Sequence, residues 1–257
     1  MSQILHANII GSGDPLLILH GFLGMSDNWK TLGRKYANNG FEVHLIDQRN
    51  HGRSFHSKDF DYGILAEDLL VYMKSKDIHH ANFIGHSMGG KTVMQFAVTY
   101  PKRVSRLVVA DIAPKYYLPH HHDIFEGLNK LDFNEISSRS EADQVLAKNI
   151  TDVGTRQFLL KSLYWVSKKQ LGLRFNLKVL QHKMEEIGAP ISGLGSYLGS
   201  TLFLKGSSSK YIVENDINEI KTYFPNAVIC TIADAGHWLH TENPTAFFNK
   251  TLKFLKH

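Results

Sequence analysis

The chemistry-bearing residues of this chain centre on one serine. Gly85-His86-Ser87-Met88-Gly89-Gly90 sets Ser87 among small neighbours. A G-x-S-x-G string is weak evidence alone, because glycine and serine are both common. Its surroundings are more specific: the apolar run Ala81-Asn82-Phe83-Ile84 precedes it and a helical pattern over 91–100 follows it. Strand, tight turn and helix in that order form a nucleophile elbow, in which a strained turn projects a hydroxyl clear of a sheet edge. Small residues flank the serine because a Cβ there would strike the adjoining strand and helix. The chemistry would be attack by the Ser87 hydroxyl on a carbonyl carbon. The Met88 backbone N–H, at the helix N-terminus, would face the negative charge that develops.

A serine hydroxyl needs a base, and the chain has 15 histidines. Position separates them. Ala235-Gly236-His237-Trp238 falls between the last apolar strand pattern and the last helix, at the same sheet edge as Ser87, which makes His237 the candidate base. His86 adjoins the nucleophile, but its side chain points elsewhere in so tight a turn. His20 ends the first buried run, in His20-Gly21-Phe22-Leu23-Gly24. There the Phe22 backbone N–H is the candidate second oxyanion donor, and His20 a structural hydrogen-bonder. His120, His121 and His122 are consecutive; neighbours on a helix point apart, so they read as solvated surface rather than a metal site.

The imidazole needs an acid to fix its tautomer. Arg106-Leu107-Val108-Val109-Ala110 runs straight into Asp111. An aspartate ending a buried strand is disfavoured by propensity and costly without a partner, and an imidazole N–H is such a partner. Glu214 and Asp216, at a later helix start, are the alternatives, while Asp234 reads as shaping the His237 loop. Asp47 and Arg49 read as a structural ion pair beside a tight Asn50-His51-Gly52 turn, in preference to a binder of a charged substrate group.

The elements that must position these residues alternate in type. PLLILHG, FEVHLIDQ, ANFIGHS and SRLVVADI are short, branched, apolar runs suited to strands buried on both faces of a parallel sheet. Helical patterns separate them over 28–38, 62–74 and 92–100, the last closed by Pro101. The opening ILHANII has the alternation of an antiparallel edge strand. From 113 to 200 no convincing strand pattern is present; DIFEGLNKL, SEADQVLAKNI, TRQFLLKSLYWV and LKVLQHKMEEI all read as helices. Strand rhythm then resumes in TLFLKG and AVICTIADA, with a last helix from Pro244. The expectation is an α/β fold with a mostly parallel central sheet: core over 1–112, an all-helical cap over 113–200, and core again over 201–257. Aromatic and aliphatic cap residues such as Phe125, Phe158, Leu159 and Trp165 could line an apolar pocket above Ser87.

Composition excludes other classes. Of 257 residues, 43% are apolar and 21% charged, too apolar and too evenly charged for a disordered chain. No run approaches the roughly 18 apolar residues of a membrane span. The formal charge of +5 comes from scattered lysines and arginines without interleaved aromatics, which does not suit nucleic acid. The N-terminus lacks a signal-peptide pattern and reads as mature. Cys230, the single cysteine, sits in an apolar run and fits a reducing, cytoplasmic setting. Nothing in the sequence reports the oligomeric state.

The strings HGFLG at 20–24, DQRNHGRS at 47–54, GHSMGGK at 85–91, VVADIAP at 108–114 and AGHW at 235–238 occur together and in order. In this the chain resembles the α/β-hydrolases, specifically the bacterial YbfF-type esterases and their mitochondrial abhydrolase relatives. The first and third strings are shared widely in that superfamily; DQRNHGRS, the lysine after GHSMGG and VVADIAP are narrower. The segment over 113–200 carries no matching motif. Many members place the acid after the strand that follows the cap, but here TLFLKG leads into Ser207-Ser208-Ser209-Lys210, without a carboxylate. The resemblance implies the alternative position, Asp111. It further implies a serine esterase or thioesterase acting on short to medium acyl esters, with acyl-CoA thioesters admitted, through Ser87, His237 and Asp111 and with no metal or cofactor. Rival readings are a cofactor-free perhydrolase or carbon–carbon bond hydrolase on the same fold, or a non-catalytic binding protein. Dehalogenases and epoxide hydrolases of this fold use an aspartate where Ser87 stands.

Overall fold

The computed structural model describes residues 3–119, 121–193 and 195–257. Nine strands occur among them: β1 (Ala7–Ile10), β2 (Asp14–Leu19), β3 (Phe41–Ile46), β4 (Ala81–His86), β5 (Val104–Ala110), β6 (Leu163–Ser167), β7 (Gln170–Leu173), β8 (Thr201–Gly206) and β9 (Ala227–Ile232). Seven build one sheet in the order β1-β3-β2-β4-β5-β8-β9. Only β1 runs antiparallel, against β3, as its alternating sequence implies; the other pairings are parallel.

The period-two rule decides which side chains meet which helices. With α1 (Lys30–Ala37) on the opposite face, Leu17, Leu19, Phe83, Leu107, Val109 and Phe203 face one apolar layer, against the helices α2 (Tyr62–Ser75) and α3 (Met88–Thr99). Leu16, Ile18, Ile84, Val108, Leu202 and Leu204 face the other, which contains Trp29, Leu32, Tyr36 and Phe247. Both faces are covered, and that explains why these strands read as continuous apolar runs rather than alternating ones. Helix ends follow local chemistry. Asp61 caps α2 by accepting from the Ile64 N–H, and Asn243 caps the last helix (Pro244–Lys256) by accepting from the Ala246 N–H.

Between β5 and β8 the chain leaves the sheet. It forms helices over His122–Asn129, Arg139–Leu146, Val153–Leu160, Leu177–His182 and Met184–Gly188, gathered on a third apolar cluster with Leu128, Leu146, Leu159 and Leu180. Met88, Tyr62 and Leu23 belong to the same cluster, so this layer sits on the turn that carries Ser87. The all-helical expectation for 113–200 needs correction, because β6 and β7 form an antiparallel hairpin there. The pattern TRQFLLKSLYWV merged two elements. The helix ends at Leu160, where the Ser162 hydroxyl back-bonds to the Leu159 carbonyl, and the aromatic and branched residues that follow have strand character. Leu163 and Leu171 point into the cluster while Trp165 and Val166 are exposed.

Lys91 fastens this segment to α3. Its ammonium, 1% exposed, donates to the carbonyls of Lys115 (2.8 Å), Gly188 (2.9 Å) and Ala189. Those carbonyls lie at the two ends of the excursion, and the Tyr62 and Tyr117 rings flank the cation. Burial pulls the Lys91 pKa down to about 7, while three carbonyl acceptors favour the protonated form that alone has three N–H groups.

The end of β8 abuts the loop that carries His237: a Cβ on Gly206 would come within 2.2 Å of the Gly236 carbonyl oxygen. Backbone cannot yield as a flexible side chain can. Gly206→Ala is therefore expected to cost about 1–3 kcal/mol of stability, read as a lower urea midpoint. Gly154→Ala, whose Cβ meets nothing nearer than an ordinary contact at 3.4 Å, should change the midpoint little. Equal midpoints for the two variants would refute this account of the β8 end.

Candidate active site

Three strand ends and one loop bring the candidate residues together. Ser87 follows β4 with φ 52° and ψ −118°, the strained conformation its glycine-rich surroundings imply. A Cβ on Gly85 would lie 2.3 Å from the Gly89 carbonyl oxygen, and one on Gly89 2.5 Å from that of Leu19. Strand and helix thus touch through bare backbone on either side of the serine. The Ser87 N–H is anchored to the Ala110 carbonyl at 3.0 Å, so the turn is also braced by the neighbouring strand.

Asp111 ends β5 in a second left-handed turn, φ 53°, its N–H held by the Leu204 carbonyl at 2.8 Å. Its carboxylate is fully buried. Oδ1 accepts from the Gly206 N–H at 3.0 Å; Oδ2 accepts from the Ser209 hydroxyl and from His237 Nδ1, the latter at 2.8 Å. On the far side of the ring, His237 Nε2 lies 3.1 Å from Ser87 Oγ. Serine, histidine and aspartate therefore form one continuous hydrogen-bonded chain. The His237 carbonyl accepts from His86 Nε2 at 2.8 Å, and the Tyr211 ring stacks on the imidazole at 3.7 Å, so both backbone and ring plane are held.

Met88 opens α3, and Phe22 lies in the loop after β2. Among the described residues neither backbone N–H donates to a protein carbonyl, although the N–H groups of Ser87, Leu23 and Gly24 around them all do so or meet a ring nitrogen. Two free donors beside a nucleophile can receive a developing oxyanion.

The other candidates separate from this group. Asp216 pairs with Lys115 at 2.8 Å and accepts from the Val213 N–H; Glu214 is exposed. Neither meets His237. Asp234 adopts φ 52° in the loop, consistent with a shaping role. Asp47 and Arg49 do not pair with each other. Arg49 makes a bidentate bridge to Asp68, at 2.6 and 2.8 Å, whereas Asp47 accepts from the N–H groups of Ser26 and Arg53. The Gly52 turn packs onto the Asp47 carboxylate so closely that a Cβ would lie 2.1 Å away. Both are structural. Sequence reasoning missed Ser209 and Tyr211. The only signal for Ser209 was the serine run at the turn where a carboxylate was sought.

His20, His51, His86 and His240 are all buried. His20 donates to the Gly21 carbonyl and accepts from the Gln48 N–H; His51 donates to the Arg49 carbonyl and accepts from the Leu23 N–H, shaping the Phe22 loop. Among the described residues no set of His, Cys, Asp and Glu has metal-ligand geometry. Of the histidine triplet, His120 lies outside the described residues, and His121 packs on Phe22.

Two cavities open on Ser87. One of about 250 Å³ is bounded by His237, Trp238, Phe158 and Leu159 among others; the second, of about 40 Å³, lies toward Tyr62, Met88 and Ile187. Phe158 and Leu159 thus meet the expectation of a lined pocket, whereas Phe125 is buried without bordering either cavity, its ring 6.1 Å from that of Phe22, and Trp165 faces solvent.

A doubly covered parallel sheet with a serine elbow after its central strand is the architecture of the α/β hydrolases. Residues 14–244 match the family model described as alpha/beta hydrolase fold, and the chain belongs to that family. It is 37% identical over 256 residues to the sn-1-specific diacylglycerol lipase ABHD11 of Danio rerio, covering 96% of this chain and 80% of that one. Identity to the esterase YbfF of Escherichia coli is 32% over 248 residues, covering 95% and 94%. The solved structure of a marine microorganism esterase superposes with a TM-score of 0.95 at 41% identity, covering 98% of this chain and all of that one.

Two measurements test this geometry. If Asp111 fixes the His237 tautomer, Asp111→Asn should lower turnover about 10⁴-fold, whereas Glu214→Gln should leave it within about two-fold; the opposite ranking would assign the acid wrongly. The second concerns stability. Burial lowers the pKa of His20 to about 4 and of His51 and His240 to about 3, and holds His86 well below its ordinary range. These rings stay neutral in the fold, while the unfolded chain binds protons below about pH 6.5. Their contribution is present above that pH and is lost as pH falls toward 4, by about 1.4 kcal/mol per pH unit for each ring. Urea unfolding should show a steep loss between pH 7 and 5; equal stability at both would contradict neutral burial.

Proposed function

We propose that the chain is a serine ester hydrolase acting on short to medium acyl esters, with thioesters of the same acyl groups as further substrates. The observation that carries this reading is the unbroken Ser87–His237–Asp111 hydrogen-bond chain at the junction of two cavities. The names of the relatives, esterase and lipase, point the same way.

His237 Nε2 takes the Ser87 proton as Oγ attacks the acyl carbonyl. The imidazolium is stabilised by Asp111, whose carboxylate is held by Gly206 and Ser209. The Phe22 and Met88 N–H groups receive the oxyanion, and the α3 dipole adds to their field. His237 returns its proton to the leaving oxygen or sulfur, giving an acyl-Ser87 ester. A water activated by the same imidazole then releases the acid. The segment over 113–200 acts as a cap: it supplies Phe158 and Leu159 to the larger cavity and limits water around the charges.

Labelling by a fluorophosphonate probe should occur on the native protein and vanish in Ser87→Ala. The same variant should lose at least about 10⁴-fold in hydrolysis of a 4-nitrophenyl acyl series. A folded native protein that neither labels nor hydrolyses any member of the series would refute the proposal.

A further inference from the structure

Ser87 stands between two cavities of unlike chemistry, and their walls assign the two halves of an ester. We propose that the acyl group occupies the small cavity, and that the leaving group occupies the large one, where Lys161 and Asn28 receive a carboxylate or phosphate carried on that leaving group. This rests on the ester-hydrolase reading and adds the orientation and class of its substrate.

Orientation follows from proton transfer. The leaving oxygen must take its proton from His237 Nε2, so the departing group lies on the His237 side of Ser87. His237 borders the large cavity and not the small one, whereas Met88, a candidate oxyanion donor, borders only the small one. An acyl group pointed at the large cavity would put the leaving oxygen away from its acid.

The walls differ in polarity. In the small cavity Tyr62, Lys91 and Tyr117 direct their donors to backbone carbonyls: Tyr62 to Ile187, Tyr117 to Tyr211, and Lys91 to three. None of these three is left to greet a charged acyl end, and Met88, Ile112 and Ile187 supply apolar surface. A water-sized group needs roughly 10–15 Å³ of such space, so about 40 Å³ holds a short chain and about 250 Å³ a much larger group.

The large cavity carries unused donors and, among the described residues, no carboxylate. Lys161 borders it without an ion pair, close enough to His240 for its charge to act on that ring. Asn28 uses its oxygen to accept from the Met25 N–H, which leaves its amide hydrogens available. His240 is 9% exposed and stacks on Trp29, which makes it a firm part of the wall. A cation and an amide donor, in a lining that has no carboxylate among the described residues, select an anionic, acceptor-rich group.

Three matched acetyl esters test the charge: meta-acetoxybenzoate, meta-acetoxyphenyl phosphate and the neutral meta-acetoxybenzamide. The anionic esters should be preferred in kcat/KM by about five-fold at low salt. The preference should shrink as salt rises and fall to near unity in Lys161→Met. The carboxylate and phosphate arms show which anion the site favours. Equal kcat/KM for all three, or a preference untouched in Lys161→Met, would overturn the anionic subsite. Lengthening the acyl chain on meta-hydroxybenzamide from acetyl to octanoyl should cost more than about ten-fold, partly recovered in Ile187→Ala. An octanoyl ester turned over as well as the acetyl ester would overturn the orientation. A wild-type protein that hydrolyses none of these esters would overturn the ester-hydrolase reading itself, and this assignment with it.

Discussion

A fully buried carboxylate is the constraint around which this molecule is arranged. Asp111 has no contact with water, and an ionised group in that position is costly by several kcal/mol unless hydrogen bonds replace its hydration. Its donors come from three separate segments: the Gly206 N–H at the end of β8, the Ser209 hydroxyl in the turn beyond, and His237 Nδ1 after β9. None is close to Asp111 in sequence. The charge is therefore compensated only once β5, β8 and β9 are paired in order, which makes the sheet topology and the geometry of the site one problem. The close approach of Gly206 to the Gly236 carbonyl belongs to the same solution, since any side chain there would push the His237 loop away from the acid.

Ser87 answers to a related constraint from the other strand. Its left-handed φ and that of Asp111 sit at the ends of adjacent parallel strands, and the Ser87 N–H bonds to the Ala110 carbonyl just before Asp111. Two strained turns are thereby locked to each other. Strain of this kind costs about 1–3 kcal/mol at each position and persists where surrounding structure over-determines it. Here the bare glycine contacts on both sides of Ser87 and the covered sheet beneath supply that surrounding structure.

Much of this was legible because it is local or periodic. The apolar runs gave the sheet strands, the alternation of Ala7–Ile10 marked the antiparallel edge, and the glycines around Ser87 announced the tight turn. Asp111 could be inferred because an aspartate at a buried strand end demands a partner. What escaped was non-local. Ser209 and Tyr211 carry no motif; they matter because β8 brings their turn against Asp111 and His237. The β6–β7 hairpin escaped because a helix and a strand of similar hydrophobicity abut at Ser162, and short amphipathic strands on a small apolar cluster lack the long runs of the central sheet. Arg49 was read as structural, yet its partner proved to be Asp68 on α2 rather than Asp47, a choice made by helix packing that spacing does not contain.

Lys91 joins these two levels. It lies one turn into α3, its N–H bonded to the Ser87 carbonyl, and its side chain ends among carbonyls from both ends of the 113–200 excursion. A neutral side chain could fill the space but could not satisfy three carbonyls at once, and each left unmet in a buried setting would cost about 1–3 kcal/mol. The ammonium is thus the group that keeps the inserted layer seated over the serine. Placing the cation there, with every donor engaged, also leaves the adjoining cavity apolar in character although a lysine forms part of its wall. The layer that covers the site and the chemistry of the space beneath it follow from a single buried charge, just as the site's own geometry follows from Asp111.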